Sequence, residues 1–186
     1  MKHLKKLLIK AIIFVMLSSG TVLFLNQVLT PKYFYNNTWP TTSTYLGFYK
    51  MERNTVDVLF FGSSHAVSSF SPQILYDRYG ITSYNLGCEQ QNLITSYYWL
   101  KEALRFQKPK AIVLDCYILF PYNKGEALNA SESCTRKAMD YMKWSPVKWE
   151  AVHAICAADE NQTLSRYYIP NIRFQTRSTG LNEEDF

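Results

Sequence analysis

Histidine is nearly absent from this chain: His3, His65 and His153 are the only three in 186 residues. Few side chains can therefore serve as a general base near neutral pH. Cysteine is also sparse. Cys88, Cys116, Cys134 and Cys156 are widely spaced, with no C-x-x-C, so a zinc site finds no support. Four cysteines permit three disulfide pairings, and the reading as small buried hydrophobes stands beside them. No G-x-G-x-x-G and no Walker A loop occurs, and no cofactor is implied. The formal charge is +5, but Lys2, Lys5, Lys6 and Lys10 precede residue 31 with no acid among them. The remainder holds 16 basic against 15 acidic residues. Such a near-neutral body lacks the basic face of a nucleic-acid reader.

What the chain does have is one long apolar run. Leu7 to Leu29 reads LLIKAIIFVMLSSGTVLFLNQVL, with Lys10 its only charge. Roughly 20 helical residues cross a hydrocarbon core. The run fits if Lys10 snorkels to one headgroup layer and Asn26 and Gln27 sit in the other. The lysines put the N-terminus in the cytoplasm by the positive-inside rule, and everything after residue 30 outside. No small-x-small site follows the apolar stretch, which favours an uncleaved signal anchor over a cleaved signal peptide. The expected organisation is a tail and anchor over residues 1–30, a juxtamembrane segment over 31–55, and an α/β domain over 56–186. The juxtamembrane segment, aromatic and polar, is expected to pack loosely, with a short helix near Tyr45 to Glu52.

From Asp57 onward a βαβαβ pattern runs. Asp57 to Phe61 is a short apolar strand ending in Gly62. Ser71-Pro72 supplies an N-cap and an N1 proline for a helix closed by Gly80. Ile81 to Leu86 reads as a second strand stopping at Gly87. Gln90 to Phe106 carries Leu93, Tyr97, Leu100 and Leu104 on one helical stripe. Ala111 to Leu114 is a third, buried strand. Alternating strands and helices predict a parallel sheet. Further on, Cys134 to Tyr141, Pro146 to Ala157 and Leu164 to Tyr168 suit short helices.

In an open parallel sheet, ligands bind beyond the carboxyl ends of the strands. Here those ends are Gly62-Ser63-Ser64-His65, Asn85-Leu86-Gly87 and Asp115-Cys116-Tyr117. A serine on a tight strand-to-helix turn exposes its hydroxyl, and its own N–H can help hold an oxyanion. Glycine at the next strand end lets a second N–H come close. The bland reading is a polar loop between strand and helix.

Three blocks carry a resemblance: Asp57-Val-Leu-Phe-Phe-Gly-Ser-Ser-His65, Tyr84-Asn-Leu-Gly87 and Lys110-Ala-Ile-Val-Leu-Asp115. Together they resemble the opening of SGNH (GDSL-like) hydrolases. They are most similar to the membrane-anchored branch that includes teichoic-acid D-alanylation and alginate O-acetylation proteins. The likeness covers about residues 55–120. It implies a three-layer α/β/α, flavodoxin-like fold with Ser64 as nucleophile and the Gly87 backbone N–H in the oxyanion hole. It also implies an ester or acyl group on a cell-envelope polymer as substrate.

Two departures stand out. The family's third block supplies an oxyanion-hole Asn, and here Asn123 is a distant substitute. The family's C-terminal Asp-x-x-His is missing, and without a base Ser64 is a weak nucleophile. His65 adjoins Ser64 and is expected to point away from it, and His153 suits a packed or surface position on a helix. The closing run from Ile172 to Phe186 resembles an internal segment of longer relatives, so the chain reads as the N-terminal portion of a larger protein. The rival reading is a non-catalytic binding or scaffold protein, or a degenerate fragment.

Overall fold

A computed structural model describes residues 2–30, 40–117 and 132–172. Asn123 lies outside the described residues. The described parts of Met1–Asn36 and Ser165–Phe186 form one compact unit, and those of Asn37–Leu164 another.

In the first unit, helix α1 (Lys2–Val28) is the apolar run. Within His3–Val28 an 18-residue stretch has a mean hydropathy of 2.2, and the helix is long and apolar enough to cross a membrane. None of that apolar window packs against protein; Phe14 is 72% exposed and Leu23 68%. The length and composition of α1 suit a transmembrane or signal-anchor helix. A short helix of the C-terminal region, α8 (Leu164–Tyr168), is taken up below.

The second unit is mixed α/β. In chain order it holds α2 (Pro40–Phe48), β1 (Val58–Phe61), α3 (Ser64–Ser69), α4 (Pro72–Tyr79), β2 (Ser83–Asn85), α5 (Leu93–Ala103), β3 (Ala111–Leu114), α6 (Glu132–Met139) and α7 (Pro146–Ala158). The strands form one parallel sheet in the order β2-β1-β3. Central β1 pairs Leu59 with Tyr84 on one side and with Ile112 on the other. Helix α4 starts where the sequence predicts: Ser71 accepts from the Ile74 N–H, Pro72 follows, and Gly80 closes the helix in the left-handed region at φ 65°.

The core lies against one sheet face and is aromatic. Trp99 of α5 is fully buried and stacks on Tyr45 of α2 at 4.6 Å. Its Nε1–H donates to the Ala138 carbonyl of α6 at 3.3 Å. Phe48 meets Trp99 and Tyr84 edge-on at 6.3 and 5.6 Å. Successive β1 side chains alternate between faces, and Phe60 on the opposite face stacks on Phe70 at 4.4 Å.

Three expectations need correction. In the described part of the segment before β1, Tyr45 and Phe48 are not loosely packed but core residues, 0% and 1% exposed. Of the stripe Leu93, Tyr97, Leu100 and Leu104, only Leu100 is half-buried, and the other three are 38–55% exposed. Helix α5 instead buries Thr95, Ser96, Trp99, Glu102 and Ala103. The buried carboxylate of Glu102 is compensated by Arg105 Nη1 at 2.6 Å and by the Tyr49 and Ser145 hydroxyls, each at 3.2 Å. Finally, β3 has the predicted bounds but is not buried: Ile112 and Leu114 are 46% and 41% exposed.

Candidate active site

The carboxyl ends of all three strands converge on the turn after β1. Gly62 opens that turn at φ 148°, a conformation that L side chains rarely adopt. A Cβ there would lie 2.5 Å from Asp115 Cβ. The register puts Asp115 beside this turn, since Phe61 pairs with Leu114 and the Asp115 N–H donates to Phe61 O at 2.8 Å.

Ser63 and Ser64 part company here. Ser63 is buried and caps α3, its Oγ accepting from the His65 N–H at 3.3 Å and donating to Asp115 Oδ2 at 2.8 Å. With both roles filled, its hydroxyl is structural. Burial tends to raise the Asp115 carboxyl. The Tyr117 N–H, the Ser63 hydroxyl and N–H, and nearby His65 more than offset this and hold it below the usual carboxylate value. A carboxylate so stabilised is a poor proton acceptor and a good clamp.

Ser64 is exposed and lines a cleft of about 630 Å³ together with Val67, Phe70, Ser83, Tyr84, Gly87 and Glu89. Among the described residues neither its hydroxyl nor its N–H has a hydrogen-bond partner. Gly87 lies within the same cleft, and a Cβ there would approach the Gly62 carbonyl to 3.1 Å. Its N–H is engaged, donating to Asn85 Oδ1 at 3.0 Å. Asn85 in turn donates through Nδ2 to the Ala66 carbonyl at 2.8 Å, tying the end of β2 to α3.

Neither described histidine outside α1 meets Ser64. The His65 ring stacks on Tyr117, beyond the end of β3, at 3.8 Å, while Ser64 faces the cleft along β2. His153 lies on α7, where its Nδ1 is 2.8 Å from the Trp149 carbonyl and its ring sits against Trp149 at 4.0 Å. His3 is on α1. Among the described residues no group of three His, Cys, Asp or Glu side chains is arranged to hold a metal ion. Cys88 follows Gly87 but is fully buried, and burial pushes its thiol up to about 12, far from a reactive thiolate.

The sequence puts Asn85 and Asp115 at the strand ends but assigns neither a role. The parallel register is the signal that brings them to the turn. Comparison of the chain with protein-family models, with curated proteins and with solved structures finds no match.

Proposed function

We propose that the chain is a membrane-anchored serine hydrolase or acyl-transferase of SGNH type, acting on an ester or acyl group of a cell-envelope polymer. The observation that carries this reading is the division of labour between the two serines. Ser63 is locked as a cap, which leaves Ser64 with an unengaged hydroxyl and N–H facing a cleft. In this reading Ser64 Oγ attacks the acyl carbon. Its proton is taken by a base that the described residues do not supply and is passed to the departing alkoxide. The Ser64 N–H with that of Gly87 stabilises the oxyanion. The oxyanion shares or displaces the bond that Asn85 now accepts from Gly87. The SGNH three-layer architecture belongs to the same proposal, as does the outward placement of the domain.

A second reading, a non-catalytic binding protein built on the same cleft, is favoured by one observation. His65 is held on Tyr117 and His153 on Trp149, so neither serves Ser64 as base.

A fluorophosphonate probe separates the two. Removing a triad member typically costs several orders of magnitude in rate, so the 186-residue chain should label weakly. Weak labelling lost in Ser64→Ala and kept in a folded Ser63→Ala supports the hydrolase reading. Labelling unchanged by Ser64→Ala removes Ser64 from the mechanism, and none at any serine favours the binding protein.

A further inference from the structure

Helix α1 is exposed along its apolar length, Val28 included at 49%, while Thr30, two residues beyond it, is 4% exposed. In the same compact unit Tyr167 and Asn171 are also buried, at 3% and 7%. The Asn171 N–H donates to Asn26 Oδ1 at 3.1 Å, a contact between residues 145 apart in sequence. Local helical bonds continue through this stretch, from the Ile169 N–H to Ser165 O at 2.8 Å and from Ile172 to Ile169 O at 3.1 Å.

The position of Asn26 gives this contact its meaning. A helix of 27 residues is about 40 Å long, against a hydrocarbon core of about 30 Å. Asn26 lies near the end of α1 farthest from its lysines, where the apolar run gives way to Asn26 and Gln27. In a membrane-crossing helix that is the hydrocarbon boundary. A hydrogen bond from Asn171 to this side chain fixes the later segment to the same depth. The segment suits that layer: Tyr168 is 42% exposed, Arg166 precedes it, and tyrosine and arginine both favour the headgroup region.

We infer that residues 165–172 lie in the phospholipid headgroup layer on the face where α1 ends, a second place at which the chain meets the membrane. This rests on the reading of α1 as a retained anchor and gives that retention a structural role, because cleavage before Asn26 would separate Asn26 from Asn171.

The test uses the full chain in phospholipid vesicles, with p-benzoylphenylalanine replacing Phe14 in one sample and Tyr168 in another. Photolysis should add the mass of one phospholipid to the labelled peptide in both. An adduct at position 14 but none at 168 overturns the inference while leaving the anchor intact. No adduct at either position defeats the anchor reading, and this inference with it.

Discussion

Ser63 and Asp115, 52 residues apart, are joined by a 2.8 Å hydrogen bond that fastens the start of α3 to the end of β3. The same serine also accepts from the His65 N–H. One hydroxyl therefore links the first turn of a helix, the end of the central strand and the carboxylate of the strand beside it. The reactive candidate, Ser64, is the next residue along, so its position depends on this link.

Ser63→Ala should lower stability by about 1–2 kcal/mol, the usual effect of losing an N-cap, and Asp115→Asn should weaken the same link. The folded-state value of Asp115 is depressed, so its contribution is fully present above the ordinary carboxylate range near ~4 and is lost as pH falls through the folded value. Thermal midpoints at pH 7 and pH 3 should show wild type and Asp115→Asn converging at the lower pH. A gap that widens on acidification contradicts the assignment.

Gly62→Ala should be worse than Gly87→Ala. The first substitution combines a positive φ of 148° with a 2.5 Å approach to Asp115 Cβ, and backbone strain of this kind alone costs about 1–3 kcal/mol. At Gly87 the new Cβ meets its neighbours at 3.0–3.2 Å, which small shifts relieve. Urea midpoints decide it, and equal effects would show that the Gly62 turn relaxes freely.

Lys148 of α7 is buried, with its Nζ donating to the carbonyls of Met142 at 2.7 Å and Asp140 at 3.2 Å. Burial lowers its value to about 8, with Asp140 opposing and Arg136 adding to the shift. The unfolded chain then binds more protons than the folded one between about 8 and ~10.4, so stability should rise with pH across that window. Lys148→Met should abolish the rise. Parallel stability curves for the two proteins from pH 8 to pH 10 would show that Lys148 titrates as in water.

Local signals carried most of the legible structure. The cap and stop of α4 could be read at Ser71, Pro72 and Gly80, and β3 kept its predicted bounds, because each depends on residues close in sequence. The facing of α5 was not legible. Most of its apolar stripe points outward, while Glu102 is satisfied inside by Tyr49 and Ser145, partners that come from 53 and 43 residues away. The strand-end turn at Gly62 to His65 could be read, and the resemblance points to Ser64, but the role of Ser63 as a cap held by Asp115 could not be read. That role rests on Asp115, which reaches the turn only through the β1–β3 register. Likewise, the engagement of the Gly87 N–H depends on how the Asn85 side chain turns.

The exposure of β3 has a consequence for handling the protein. Among the described residues β3 pairs only with β1, and its Ile112 and Leu114 are partly exposed. An uncovered edge with apolar side chains invites strand-to-strand pairing between molecules. A version of this chain freed from its helix, if β3 stays unpaired beyond β1 in solution, should show an adhesive seam there on concentration. A lysine in place of Ile112 would blunt that seam without touching the turn at Ser64, and so give the more tractable sample for solution work.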